Sequence, residues 1–451
     1  MLKNKDYLVN GSIFRALFLF SLPLIITNTV QVLFHAADTA ILGIMASDQA
    51  VAAVGACGPI ITMLVSIFTG FSAGANVLVA RRFGAQDEDG VKKAIGTSLL
   101  IGFSSGLILM VIALIFSRSL LILLKCQPEV LDMATLYMQI YFLGMPITML
   151  YNFVASILRA SGDSFHPMLY MLIAGGTNVA LNVLFVGAFH LDVAGVAIAT
   201  VLSNAIALTL ALISLLRSKG MCRVELPHLR IRRIELMEIV RVGIPASMSA
   251  IFFYVGNLFL SAAVNQLSTD AMAASTIASQ FDGLIYTVGA AIAGSVTAMV
   301  GQNFGAKKFD RVSKTIKTSI LYVTAVSLSL GVIIVLFADP LLNLMTDSPN
   351  VAALAKSKMT LLCLTYFITS IMEVFSGALR ALGRQNTTMV VGAISGLGFR
   401  SLWALFVFPL YPTLGFLYSV YNVSAFFAII IYICVYRDTR KKLFVTQPTD
   451  C

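Results

Sequence analysis

Apolar runs long enough to cross a bilayer core as helices, about 20 residues each, begin near Ala16, Val51, Lys93, Asp132, Pro167 and Ala194. After a polar interval the pattern restarts near Ile239, Ala271, Thr315, Ala353, Thr388 and Thr413. Between the runs stand FGAQDEDG, RASGDSFHP, ADPLL, TDSPN, RALGRQN and YPTLG, segments whose Gly, Pro, Asn and Asp favour turns. The pattern predicts an all-α polytopic chain of twelve membrane-spanning helices. The run after Arg15 is too long for a signal-peptide core and leads directly into further spans, so it reads as an uncleaved first helix.

Composition makes lipid the solvent. Of the 451 residues, 58% are apolar and 12% charged, whereas soluble domains carry roughly 25% charge and must keep their own exterior wetted. The 31 basic residues outnumber the 21 acidic ones, but they are spread through short connectors without an aromatic-interleaved stripe, which speaks against nucleic acid as a partner. Their placement orients the chain instead, because cytoplasmic loops collect Lys and Arg. With the N-terminus inside, the inner segments hold Lys3, Lys5, Arg15, Arg81, Arg82, Lys92, Lys93, Arg159, a cluster from Arg217 through Lys219 to Arg241, Lys307, Lys308, Arg311, Lys314, Lys317, Arg380, Arg384 and Arg437 to Lys442. Arg118, Lys125, Lys356 and Lys358 fall outside, and Arg400 lies within a span. Both termini are therefore expected in the cytoplasm of a bacterial cell, with the chain in its plasma (inner) membrane. Cys57, Cys126, Cys222, Cys363, Cys434 and Cys451 are far apart with no C-x-x-C spacing, so neither disulfides nor a metal site is expected.

The chain also repeats itself. Arg81–Ser98 matches Gln302–Ser319 at an offset of 221, with nine identities in eighteen positions. The same offset lays Leu158-Arg159-Ala160-x-Gly162 on Leu379-Arg380-Ala381-x-Gly383 and Leu184–Val186 on Leu405–Val407, while Ser21–Pro23 meets Gly243–Pro245 one residue out of step. This divides the chain into a six-helix bundle over 1–216, a basic linker over 217–238, a second bundle over 239–436 and a cytoplasmic tail over 437–451. Six is even, so both halves enter from the same side and are related by a pseudo-twofold axis along the membrane normal, a frequent plan among secondary transporters. The linker, which contains Pro227, reads either as a short amphipathic helix on the anionic leaflet or as a solvated tether.

These residues resemble the multidrug and toxic compound extrusion (MATE) family over nearly the whole chain. The resemblance rests on Pro23 and Asp38 in the first helix, on the FGA loops after helices 2 and 8 (GQNFGAKKFDR above all), and on LR-x-x-G after helices 4 and 10. Thr177–Asn182, followed by Gly187 and Val193–Thr200, completes the set. The pattern is nearest the DinF-like branch. The resemblance implies a V-shaped pair of bundles and export of small organic, often cationic, compounds driven by H⁺ or Na⁺. It further implies that Asp38 is the coupling carboxylate, that Asn178 and Asn182 stand near it, the latter replacing the family's aspartate, and that Thr200 joins them. The NorM-like branch carries coupling acids on helices 7 and 10; the matching stretch GIPASMSAIFFYVGN has none.

A charge at mid-bilayer depth costs at least ~2.5–3.5 kcal/mol, so each one needs a reason. The repeat offers a control: Asp38 falls on Leu260, Asp282 on Ile61, Glu373 on Asn152 and Arg400 on Val179. None is charged in both halves, so the shared scaffold does not require them. Asp38 can hold a proton and surrender it to a competing cationic substrate, and Pro23 on the same helix permits a bend that the proton would control. Otherwise Asp38 is a plain helix-end residue. Asn178 and Asn182, one turn apart, either contact Asp38 or a cation or act as interhelical amide glue. His35, three residues before Asp38, is a relay or a packing histidine. Glu373 and Arg400, on neighbouring helices, either form an ion pair or leave Glu373 facing a cavity. Asp282, Gln280, Asn257 and Met248 are expected to line a substrate cavity, whose walls the 19 Met and 30 Phe would make adaptable. Arg159 and Arg380 are assigned to head groups or helix ends.

No P-loop, G-x-S-x-G or H-E-x-x-H appears, so neither an enzyme nor an ATP-driven pump is expected. The expected partners are small organic molecules and membrane lipids, with no cofactor beyond the coupling ion, and the chain is expected to act as a monomer. The competing reading is a flippase for a lipid-linked intermediate. Acidic rather than basic intramembrane residues speak against it.

Overall fold

The computed structural model describes residues 7–124, 126–218 and 220–444; Lys3, Lys5, Lys125, Lys219, Cys451 and the end of the expected tail lie outside them. Helix α1 (Tyr7–Asn10) precedes α2 (Ile13–Met45), α3 (Asp48–Gly84), α4 (Glu88–Leu123), α5 (Pro128–Leu143), α6 (Met145–Ala160), α7 (Phe165–Asn182) and α8 (Asp192–Leu216). The second half holds α9 (Arg233–Val264), α10 (Thr269–Gly305), α11 (Phe309–Leu336), α12 (Ala338–Asn343), α13 (Pro349–Ala381), α14 (Gln385–Gly392), α15 (Phe399–Leu402), α16 (Leu414–Tyr418) and α17 (Val420–Phe444). Among the described residues there is no strand. Of the helices among the described residues, eleven are long and apolar enough to cross a membrane, and α5 with α6, bent by 47°, makes a twelfth if the pair is one span. The bend falls at Gly144-Met145-Pro146, where proline withholds a backbone donor.

The repeat is legible in the backbone as well as in the residues. Ser47 and Ser268, 221 apart, each accept a backbone N–H at the start of a long helix, from Ala50 and Ala271, replacing a partner the first turn lacks. Gln86 and Lys307 share the same left-handed φ of 57°. Gly162 and Gly383, the glycines of LR-x-x-G, have φ of 93° and 85°, which a side chain would strain. Val183–Ala188 and Trp403–Val407, which carry the matched Leu-Phe-Val, are both π-helical.

Two compact units emerge, and neither ends at the connector. One comprises Leu22–Ser247, the other Tyr7–Ser21 with Met248 onward. The expected boundary at 217–238 is thus moved into the helices: the chain changes unit inside α2 and inside α9, within three residues of Pro23 and Pro245. A proline in a helix removes one ladder hydrogen bond, so each passage sits where the helix is least constrained. Beside the gaps, Thr27 Oγ1 donates to the Pro23 carbonyl at 2.8 Å and Ser247 Oγ to the Gly243 carbonyl at 3.0 Å.

The connector is neither a surface helix nor a free tether. It makes two short turns, Gly220–Cys222 and Leu226–His228, and is strapped to the start of α4. Thr97 Oγ1 donates to the Arg230 carbonyl at 3.1 Å, Lys92 meets Glu225 at 2.8 Å, and Cys222 is buried in the apolar core with Phe153 and Leu215. Lys92 holds the Glu225 carboxyl below its usual range. The strap comes so close that a Cβ on Gly96 would lie 2.0 Å from the His228 carbonyl oxygen. Helix α9 starts at Arg233, inside the expected linker, and α17 continues into the expected tail as far as Phe444. The five described cysteines, Cys57, Cys126, Cys222, Cys363 and Cys434, are free thiols.

In the second unit α11 and α13 touch backbone to backbone at Gly331, whose hypothetical Cβ would lie 2.0 Å from the Cys363 carbonyl oxygen. Gly331→Ala should therefore destabilise the protein by about 1–3 kcal/mol, the range for overpacking, seen as a lowered melting temperature in detergent. Gly58→Ala, where a Cβ meets nothing within 4 Å, should leave it unchanged.

Candidate functional site

Among the described residues two polar cavities of similar size lie within the spans, one in each unit. That of the first unit, about 280 Å³, is lined by Gln31, His35 and Asp38 from α2, Thr69 from α3, Tyr141 from α5, Thr148, Tyr151 and Asn152 from α6, Met171 and Asn178 from α7, and Thr200, Ser203 and Asn204 from α8. Asp38 is buried. Asn182 Nδ2 donates to Asp38 Oδ1 at 2.5 Å and to Asn178 Oδ1 at 3.2 Å. Asn178 Nδ2 in turn donates to Thr200 Oγ1 at 3.5 Å, and Thr200 donates to the Val196 carbonyl at 2.9 Å. A continuous polar chain thus links three helices, α2, α7 and α8.

The placement follows from local sequence. Asn178 and Asn182 are four apart on α7 and so share a face. Asn182 ends the regular helix, because Val183–Ala188 continues as a π-helical turn, a feature often found at functional sites. Asn182 is fully buried, and among the described residues its Oδ1 has no hydrogen-bond partner. Burying an unpaired amide oxygen is costly. Beside a carboxylate, that oxygen can accept the proton of a neutral Asp38 or ligate a small cation. His35 lines the same cavity, but no hydrogen bond joins its ring to Asp38 among the described residues. Gln31, Asn152 and Asn204 were not singled out from sequence; Asn204 Nδ2 donates to Thr148 Oγ1 at 3.2 Å. Their signal was available: Thr200 and Asn204 are four apart on α8, and Asn152 is the repeat mate of Glu373.

The cavity of the second unit, about 270 Å³, is lined by Asn257, Ser279, Asp282, Lys358, Phe253, Tyr286, Tyr366, Tyr418 and Tyr421 among others. Lys358 is the surprise. Expected in an outer connector, it is 1% exposed. Helix α13 begins at Pro349, capped by Ser348, so Lys358 lies about 13 Å along it at 1.5 Å per residue. Its ammonium donates to Ser279 Oγ at 2.6 Å and to the Ser275 carbonyl at 3.0 Å, lies 3.7 Å from Asp282 Oδ2, and sits 4.0 Å from the centre of the Tyr418 ring.

Arg400 and Glu373 are not paired. The buried Arg400 guanidinium donates to Asn257 Oδ1 at 2.6 Å and lies 4.3 Å from the ring centres of both Phe253 and Tyr421. Those contacts, on α9 and α17, outcompete the carboxylate on α13. Glu373 lines neither cavity, nor does Met248, and Gln280 is exposed away from both. Among the described residues no group of three His, Cys, Asp or Glu is placed to hold a metal ion.

The comparisons with known proteins agree with this layout. The MatE family model matches twice, over residues 23–184 and 245–402, starting each time at the helix proline. Curated relatives include "Probable multidrug resistance protein YoeA" of Bacillus subtilis, 26% identical over 379 residues and 82% of each chain. "Multidrug export protein MepA" of Staphylococcus haemolyticus is 25% identical over 393 residues and 86% of each chain. Among solved structures, an outward-facing multidrug resistance MATE family transporter of the MOP superfamily superposes with a TM-score of 0.91 at 23% identity, over 99% of this chain and 100% of the other. A MOP superfamily transporter from Pyrococcus furiosus gives 0.89 at 22% identity, over 98% and 99%. Both are likenesses of fold. A family model that matches each half in turn, in step with the internal repeat and over most of the chain, makes this protein a multi-pass, non-enzymatic membrane transporter of the MatE family.

Proposed function

We propose that this chain exports small organic compounds, cationic or amphipathic, in exchange for H⁺ or Na⁺, and that the exchange runs through Asp38. The observation that carries this reading is the chain from buried Asp38 through buried Asn182 and Asn178 to half-buried Thr200 at the edge of a cavity. A carboxylate in a low-dielectric site needs a counter-charge. A proton or sodium ion supplies it from one side, and a cationic substrate supplies it from the other. Such mutual exclusion is the minimum an antiporter requires. Neutralising Asp38 removes its demand on the Asn182 amide, and the missing ladder bond at Pro23, about 22 Å away along α2, gives that helix freedom to respond. Relatives named for multidrug resistance and export support efflux as the direction. In this reading the chain works as a monomer in the bacterial plasma membrane, with both termini in the cytoplasm.

The competing reading, translocation of a lipid-linked anionic intermediate, draws on Lys358 and Arg400, two cations buried within spans. Lys358 is already engaged by Asp282, Ser279 and the Tyr418 ring, which favours a structural role.

Three outcomes are expected. In pump-deficient cells, Asp38→Asn should lower efflux of a cationic dye at least about tenfold, roughly 1.4 kcal/mol of lost coupling, with normal membrane abundance; efflux equal to wild type would remove Asp38 from the mechanism. In proteoliposomes, a pH gradient or a sodium gradient imposed separately should drive uptake of the dye, one and not the other, and Asp38→Asn should abolish the response. Asp282→Leu and Lys358→Met should each lower the melting temperature in detergent by the equivalent of about 3–5 kcal/mol, the cost of orphaning one member of a buried pair. The double variant should recover most of it. Full stability of Lys358→Met with loss of transport would instead put that lysine on the substrate route.

A further inference from the structure

We infer that the basic cavity at the foot of α2 is a binding site for the phosphate-bearing head group of an anionic phospholipid. This cavity, about 830 Å³, lies wholly within the second unit, between the Gly11–Phe14 segment and the α10–α11 turn, and Lys307, Lys308, Arg311 and Lys314 line it with Asp310. It is separate from both polar cavities described above, and the inference does not depend on the role of Asp38.

The internal repeat supplies the control. The turn at 304–317 is the second copy of the turn at 83–96, with the same backbone, down to the left-handed φ of 57° at Lys307 and Gln86. The charges differ. The first copy holds three acids, Asp87, Glu88 and Asp89, against Lys92 and Lys93. Its two lysines are both paired: Lys92 with Glu88 and with Glu225 of the connector at 3.0 and 2.8 Å, and Lys93 with Asp89. In the second copy Lys307 stands for Gln86, Lys308 for Asp87, Arg311 for Gly90 and Lys317 for Gly96, while Ser313 stands for Lys92, giving five basic residues against Asp310 alone. Among the described residues none of these five forms an ion pair. The fold does not need this charge, since its twin does without it.

Two of the five build the cavity and leave their charge uncancelled. Arg311 donates to the Leu8 carbonyl at 3.3 Å and to the Gly11 carbonyl, and Lys308 donates to Asn10 Oδ1 at 2.6 Å and to the Val9 carbonyl at 3.4 Å. All these acceptors are neutral. Lys307 and Lys314, both exposed, line the rest. An anion fitted to the cavity would complete the electrostatics, as basic pockets at the cytoplasmic ends of helices do for lipid head groups.

The surroundings select a lipid over a free anion. The cavity lies where three apolar helices end: the start of α2, the end of α10 and the start of α11. Lys314, Thr318 and Leu321 lie along one face of α11, running from the cavity to an exposed apolar residue, Leu321 being 74% exposed. On α2, Phe14 and Phe18 are exposed one turn apart and pack edge-on against Tyr322. A charged recess continuous with an apolar strip matches a ligand with an anionic head and acyl chains.

The test uses the full-length chain in detergent. Native mass spectrometry and melting temperature are read with dioctanoyl-phosphatidylglycerol, with dioctanoyl-phosphatidylcholine and with inorganic phosphate. Wild type should retain the anionic lipid over the zwitterionic one and melt higher with it. Lys307→Gln/Lys314→Gln, which removes no contact of the fold and should melt normally without lipid, should bind the anionic lipid about tenfold more weakly. Arg118→Gln/Lys356→Gln, with the same loss of charge elsewhere, should bind it as wild type does. Equal retention of both lipids, or equal binding by the Lys307/Lys314 variant, would overturn the site. Stabilisation by inorganic phosphate at the same concentrations would overturn its assignment to a lipid.

Discussion

Hydrocarbon cannot hydrogen-bond, and every other property of this protein follows from that. Backbone N–H and C=O groups must find partners within their own segment, which leaves helices as the only local answer for a chain so apolar. The same constraint governs side chains. A charge or amide inside a span is tolerated only where another part of the protein receives it. The structure obeys this rule at each buried group considered: Asp38 takes the Asn182 amide, Lys358 takes Ser279 and Asp282, and Arg400 takes Asn257 and two aromatic faces. Among the described residues Asn182 Oδ1 is one of the buried polar atoms left without a hydrogen-bond partner, and its own amide nitrogen contacts the carboxylate.

The repeat makes these groups interpretable. Two copies of one scaffold, with matched caps, matched left-handed turns and matched π-helical segments, show what the architecture itself demands. Whatever differs between copies is free to serve function. Asp38 and the amides lie in one copy only. The Asp282–Lys358 pair and Arg400 lie in the other, and the unbalanced basic turn at 304–317 has a twin in which acids outnumber lysines and both lysines are paired. The two polar cavities are accordingly unlike: the first is ringed by amides and hydroxyls around a single carboxylate, the second by tyrosines around an ion pair.

Much of this was legible in the sequence, because hydropathy and helical spacing act locally. Twelve spans, the duplication and the shared face of Asn178 and Asn182 needed nothing beyond period and pattern. Lys358 was misplaced because a charge at the edge of an apolar window looks like the edge of the helix; only Ser275, Ser279 and Asp282, some 80 residues away, reveal that it lies inside. The Glu373–Arg400 pairing failed for a related reason: neighbouring helices bring backbones together, but register and rotamer choose partners, and Arg400 chose Asn257 and the rings of Phe253 and Tyr421. Nor could composition distinguish a connector that floats from one that docks. The decisive detail was Gly96, whose missing side chain admits the strap.

The prolines mark a last consequence. Because α2 and α9 each change body partway along their length, a break in the polypeptide at the connector would not yield two finished halves. The leading fragment would carry residues 7–21 with no body to receive them. The trailing fragment would lack those same residues and hold a stretch, up to Ser247, that belongs with its counterpart. The duplication that produced this chain is therefore not a tandem of independent modules: each copy has lent the root of its first helix to the other, and neither copy is whole without its twin.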